Sequence, residues 1–477
     1  MVFSSLLFVF FFLAIHLAVY YFIQPRYRNL VLLVSSLIFY AWGGPRYLLL
    51  LVFETFVAWG AGVMLSRCDM ETRKGQRDHK LYVFGGCAIL LLLLGIFKYL
   101  GFFCDTFDFI IPALADVPRL VLPIGISFYT FQLISYIIDV YRGEVEAQPV
   151  YWKLLLYASL FHQCIAGPIV RYETVADEIE ERHVNLNDIY TGMRRFCVGL
   201  AKKSILANGC ASVADALMPS GVEALGAQPA LAIWLGMIFY MLQIYLDFSA
   251  YSDMAIGIGR MVGFHYMENF NYPYTAVSVQ DFWHRWHISL STFFRDYVYI
   301  PLGGSRCSQN KYIRNMCVVW FLTGLWHGAS WNFIFWGLYY LAFLLLEKFV
   351  IQDKIKGIWR HVYTIAVVYF GWILFRFTSL HELGTALKGM LGFGGGFTSM
   401  AVGTQFTGHI FFLLFAIIAV TPFGRNLRRM LYELGKDNKV IYTILNITEM
   451  LTPVLLLFLS MLALIGDSYN PFLYFQF

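Results

Sequence analysis

Residues 2–22 contain no Asp, Glu, Lys or Arg, and similar apolar runs recur at about residues 30–42, 47–65, 81–103 and 120–140. A helix rises about 1.5 Å per residue, so about twenty apolar residues cover the roughly 30 Å hydrocarbon core of a bilayer. In lipid the backbone polar groups must be satisfied within the segment, which leaves the helix as the form such runs can take. The expected fold class is therefore an all-α integral membrane protein.

Composition agrees. Of 477 residues, 59% are hydrophobic and only 14% charged, against about a quarter charged in soluble proteins. A soluble enzyme, a disordered chain and a fibrous repeat are excluded. The net charge of +5 is assigned to basic loops beside membrane spans rather than to a nucleic-acid partner. The 8 cysteines are scattered with no CxxC pair, so neither a disulfide nor a zinc framework is expected. No basic segment precedes the first apolar run and no small-residue cleavage site follows it before Arg26, which reads as a retained span and not a signal peptide.

The flanks suggest an orientation. Arg26 and Arg28 follow the first run, and Arg67, Arg73, Lys74, Arg77 and Lys80 follow the third. The loop after the fourth carries Asp105, Asp108 and Asp116 against Arg119. Cytoplasmic loops are the basic ones, so the amino terminus is expected outside, with the chain in the cytoplasmic membrane of a bacterium.

The middle is less regular. Residues 151–169 are mostly apolar yet include Lys153, His162, Gln163, Gly167 and Pro168, which suggests a buried or re-entrant segment. Residues 230–254 form a strong span. Residues 270–306, FNYPYTAVSVQDFWHRWHISLSTFFRDYVYIPLGGSR, are aromatic and polar at once, so they are expected to pack against helices or line a wet cavity. Later runs occur at about 317–346, 362–375, 410–421 and 441–465. Both flanks of the 317–346 run are basic, which predicts a break at residues 324–332 and a bent or re-entrant pair. The total is about eleven crossings with two or three partial ones, in one domain over residues 1–477 whose motif-bearing core spans about 120–340.

Ionisable groups inside membrane segments are costly, so each is a functional candidate. His327 sits in TGLWHGASWNFIFWG with no acidic neighbour, flanked by Trp326 and Asn332. A buried neutral imidazole can accept a proton near neutral pH; a packing histidine bonded to a carbonyl is the alternative. The string FWHRWHISLSTFFRDY holds His284, Arg285, His287, Ser289, Ser291, Arg295 and Asp296. On one helix His284, His287 and Ser291 would share a face. Arg295 and Asp296 are adjacent and are expected not to pair with each other. Arg295 is then a candidate for holding a phosphate or carboxylate. Asp139 is placed to pair with Arg142. Asp247 and Asp253 point in different directions, each able to orient a histidine or to pair with an arginine. The histidines are too thinly spread for a metal site, and no permanent cofactor is expected.

Six strings in order resemble the membrane-bound O-acyltransferases, in particular the branch of alginate O-acetylase membrane subunits and related polysaccharide acetylases: LPIGISFYTFQLISYIIDVYRGE (122–144), AGPIVRY (166–172), YLDFSAYSDMAIGIGRMVGF (245–264), ENFNYPY (268–274), FWHRWHISLSTFFRDYVYIPLGGSR (282–306) and LTGLWHGASWNFIFWG (322–337). The resemblance implies that family's fold, with a central tunnel. It implies His327 as catalytic base and His287 as its partner, which orients the donor or stabilises the developing oxyanion. Trp326, Asn332, Arg295, Asp296, Asp247 and Ser291 are the expected supporting or substrate-binding residues. Where the family usually has arginine, this chain has His284.

The donor implied is acetyl-CoA or another acyl thioester. The partners implied are an extracytoplasmic glycan or an extracytoplasmic transferase of the SGNH hydrolase type, in a lipid setting and without nucleic acid. Other readings remain open: D-alanyl transfer to teichoic acid, lipid or protein acylation, a transporter or channel without covalent chemistry, and a scaffold for polysaccharide export.

Overall fold

The computed structural model describes residues 2–165, 167–351, 354–436 and 438–466. Ala166, the first residue of the AGPIVRY string, lies outside them. Among the described residues there are helices and no strands. Seven helices among the described residues are long and apolar enough to cross a membrane: Pro45–Ser66, Arg73–Phe107, Ala230–Met261, Trp331–Ile351, Ile358–Arg376, Met400–Ala419 and Lys439–Gly466. The apolar runs at 2–22, 30–42 and 120–140 form the shorter helices Phe8–Phe22, Arg28–Gly43 and Ile126–Arg142. The 151–169 segment is buried from Leu154 to Ile165, as its polar residues suggest, and divides into Tyr151–Ser159 and Phe161–Cys164 with Leu160 non-helical between them.

The described residues fall into two compact units, each made of several chain segments. The first comprises the described residues of 2–196, 252–268 and 292–301. Its Ile126–Arg142 helix is buried along most of its length and is bounded by Gly125 and Gly143, both left-handed. At Gly125 a β-carbon would lie 2.4 Å from the Cys164 carbonyl oxygen, so the entry to this helix requires glycine both for its φ of 77° and for its contact. Polar groups on these apolar helices turn inward: Thr130 donates to Glu54 at 2.8 Å, and Lys98 to Ser127 at 3.0 Å. That is the arrangement a hydrocarbon surround enforces.

Two ion-pair expectations fail in this unit. Asp139 accepts from the Tyr297 hydroxyl at 2.7 Å, while Arg142 turns to the Asp296 carbonyl. Arg295 and Asp296 do pair, at 2.6 Å, and Asp296 also holds Arg171 at 2.6 Å. The helix widens to π geometry over Arg295–Tyr299, and the long arginine stem folds back onto its neighbour's carboxylate. Asp253 pairs with Arg195, which also holds Glu268.

The second unit comprises the described residues of 197–251, 269–291 and 302–466. Its centre is a helix pair, Gln309–His327 and Trp331–Leu346, joined at Gly328–Ser330 inside the predicted break. The two helices touch through main chain. A β-carbon on Gly324 would lie 2.5 Å from the Phe333 carbonyl oxygen, and one on Gly337 would lie 2.4 Å from that of Trp320. Small residues let membrane helices approach this closely, and dispersion between the backbones then holds them. Lys203, in the π-helical turn Lys202–Ala207, forms a buried ion pair with Asp247 at 2.9 Å.

Candidate active site

His327 is the last residue of the Gln309–His327 helix and is 6% exposed. Gly328 follows with no side chain, because Phe333 occupies the place where a β-carbon would lie, 2.3 Å away. The chain turns there and fixes the imidazole edge-on to Trp336, Phe375 and Trp326, with ring centroids 4.8, 5.3 and 5.1 Å away.

His287 arrives from a different element. The sequence pattern suggested one helix carrying His284, His287 and Ser291 on a common face, but the helix stops at Arg285 and a second one runs from Ile288 to Phe294. His287 stands between them with φ 44°, a left-handed conformation that costs a residue bearing a β-carbon about 1–3 kcal/mol and persists only where surroundings dictate it. In consequence His284 is exposed, and Ser291 donates to the Trp283 carbonyl at 3.2 Å.

The residues that dictate the turn lie eighteen or so positions upstream. Ile288 N–H donates to the Asn269 carbonyl at 3.0 Å, and Asn271 N–H to the Arg285 carbonyl at 2.9 Å. The Asn269 side-chain oxygen accepts from the Ser289 N–H at 3.2 Å and its hydroxyl at 2.9 Å, and lies 3.2 Å from His287 Nδ1. His287 is 1% exposed, outside the seven candidate spans. Burial pushes its pKa from the ordinary 6.5 down to about 3, because an imidazolium here would lose its hydration.

Trp326 brings the two histidines into one cluster. Its ring contacts His287 at 5.4 Å and His327 at 5.1 Å, centroid to centroid. Phe248, next in sequence to the paired Asp247, also meets the His287 ring edge-on, at 4.8 Å between centroids. Asn332 is fully buried and donates to the Leu374 carbonyl at 3.2 Å; its side-chain oxygen has no partner among the described residues. Arg295 and Asp296 belong to the first unit, in the network with Arg171. Among the described residues no three His, Cys, Asp or Glu side chains cluster as metal ligands.

Sequence reasoning passed over Asn269, Trp336 and Phe375. Nothing local marks them. Asn269 lies within the ENFNYPY string, but its partners are eighteen and twenty residues away. Chemically, the cluster offers two imidazoles shielded from bulk water among aromatic walls, and a histidine within reach of a hydroxyl is the usual general base.

The model of the membrane-bound O-acyltransferase family, MBOAT, matches residues 145–383. Over the full length of both chains, this protein is 38% identical to the probable alginate O-acetylase AlgI of Pseudomonas putida. It is 32% identical to the peptidoglycan O-acetyltransferase of Helicobacter pylori over 83% of this chain and 80% of that one. The teichoic acid D-alanyltransferase of Bacillus subtilis is 29% identical over 54% of this chain and 70% of its own.

Proposed function

The chain belongs to the membrane-bound O-acyltransferase family, and from that membership we propose that it moves an acetyl group from a cytoplasmic thioester such as acetyl-CoA across the membrane, for O-acetylation of an extracytoplasmic polysaccharide. His327 is the base. It takes the proton of an attacking hydroxyl as the oxygen adds to the thioester carbonyl, and returns that proton to the sulfur as the carbon–sulfur bond breaks. His287 stands beside it to orient the reacting groups. The hydroxyl belongs to the glycan or to a partner transferase of the SGNH type that completes the reaction outside. A passage through the protein brings donor and acceptor together, in the cytoplasmic membrane with the amino terminus outside.

The observation that carries this reading is the contact of one indole, Trp326, with both imidazoles. The choice of acetyl rests on the relatives that match this chain over most of its length, which are named as acetylases, whereas the D-alanyltransferase match spans about half of it. A transporter could use buried histidines as a proton relay, but it has no reason to carry the RWHIS and WHGASW strings together.

The test is reconstitution of the purified protein with radiolabelled acetyl-CoA, following thioester loss. His327→Ala and His287→Ala are each expected to lower the rate by at least about 10²-fold, the range for removing a general acid–base group. Unchanged rates in both variants would reject the mechanism.

A further inference from the structure

We propose that Asn269 is a positioning residue that locks His287 in the tautomer with Nδ1 protonated and Nε2 presented as a hydrogen-bond acceptor. This deepens the acyltransferase reading and rests on it.

One group at this site has a role that admits no choice. A backbone N–H can only donate, so the Asn269 atom that meets the Ser289 N–H at 3.2 Å must be the side-chain oxygen and not the nitrogen. The Ser289 hydroxyl meets the same oxygen at 2.9 Å and donates to it as well; with its one proton committed there, the hydroxyl can only accept from His287 Nδ1, which lies 3.4 Å away. The amide is therefore oriented, and its oxygen also faces His287 Nδ1 at 3.2 Å. Were Nδ1 unprotonated, two lone pairs would oppose each other in a low-dielectric surround; with Nδ1 protonated the contact is a hydrogen bond. A buried neutral imidazole carries one N–H. With that proton on Nδ1, Nε2 has only its lone pair to offer.

The consequence separates two roles left open for His287. A lone pair cannot stabilise a developing oxyanion; that task needs an N–H. It can accept a hydrogen bond from a hydroxyl or from a donor amide, and so orient it for attack. His287 is thus assigned to the proton-accepting side of the reaction, with the same polarity as His327, and oxyanion stabilisation falls to other donors.

Asn269 also caps the Ile288–Phe294 helix through the Ser289 N–H, so a loss of stability on mutation says nothing about the tautomer. The decisive measurement is 15N NMR of the full-length protein with 15N-labelled histidine, His287→Gln identifying the His287 signals. A protonated Nδ1 with an unprotonated Nε2 is expected, and a protonated Nε2 overturns the proposal. In the acetyl-transfer assay, Asn269→Leu is expected to lower kcat by about 10²-fold with KM changed less than about twofold. Asn269→Asp keeps the acceptor oxygens and is expected to recover at least about a tenth of the wild-type kcat. If Asn269→Leu retains kcat while His287→Ala and His327→Ala lose it, this inference falls and the acyltransferase reading stands. If the two histidine variants retain kcat, the acyltransferase reading itself falls. Should Asn269→Leu fail to fold, the wild-type spectrum still decides.

Discussion

Replacing Gly324 with alanine adds one carbon to a contact between two backbones. The new β-carbon would lie 2.5 Å from the Phe333 carbonyl oxygen, 3.2 Å from its carbon and 3.4 Å from the Ile334 α-carbon. Ordinary contact begins near 3.4 Å, so the helices must part by about 1 Å or bend. No side chain can swing aside, because the obstructing atoms are main chain. His327 lies one turn further along the same helix, on the same face as Gly324, and moves with it. Overpacking of this kind costs about 1–3 kcal/mol, and a displacement of about 1 Å at a catalytic group costs about 10²-fold in rate. Gly324→Ala is therefore expected to fold with a lowered Tm and to lose about 10²-fold in kcat. The assay pairs thermal unfolding in detergent with transfer from labelled acetyl-CoA. Gly85→Ala is the control: nothing lies within 4 Å of its new carbon, and replacing a glycine inside a helix should add about 0.5–1 kcal/mol of stability. Wild-type Tm and kcat in Gly324→Ala would refute the idea that this main-chain seam positions the base.

Further outcomes follow from other contacts. Trp326→Ala should lower kcat more than Trp326→Phe, since phenylalanine retains an aromatic wall between the two imidazoles; equal kcat in the two variants would count against a positioning role for that ring. Lys203→Met strands Asp247 in a buried site and should cost about 3–5 kcal/mol, whereas Lys203→Met combined with Asp247→Leu should regain most of it; chemical denaturation of the three proteins checks the order. His287 binds a proton in the unfolded chain below about pH 6.5 but in the folded protein only near pH 3. Folding stability should therefore fall as pH drops through that window, and His287→Gln should flatten the dependence in thermal melts between pH 6.5 and 4. Asp296→Asn weakens the contacts to Arg171 and Arg295 at once and should lower Tm; an unchanged Tm would show that the network adds nothing.

The parts of the fold legible in the sequence were those governed by local periodicity and length. Runs of twenty apolar residues became helices, and the basic flanks around residues 317–346 foretold the turn after His327. The aromatic, polar segment 270–306 proved irregular and buried around His287, as its composition required. What escaped were contacts decided by distant chain. Asp139 has an arginine three positions on, yet takes Tyr297 from 158 residues away. The spacing of His284, His287 and Ser291 is helical, but the segment beginning at Asn269 binds the backbone on both sides of His287 and turns it left-handed. Arg295 and Asp296 were judged on α geometry, and the helix there is wider. Of the site, the two histidines and Trp326 could be named in advance from their motifs; Asn269, which orients one of them, could not.

The glycine seam also governs where this protein can vary. Main-chain contacts have no rotamers, so the stretch around Gly324 and Gly337 has no means of adapting to a bulkier or slimmer cargo. Descendants of such a chain that change their chemical repertoire must do so on walls built of side chains, while the hairpin bearing His327 is inherited intact. Libraries aimed at new specificities should leave both glycines alone and diversify the aromatic side chains that meet the two imidazoles, such as Phe248 and Phe375.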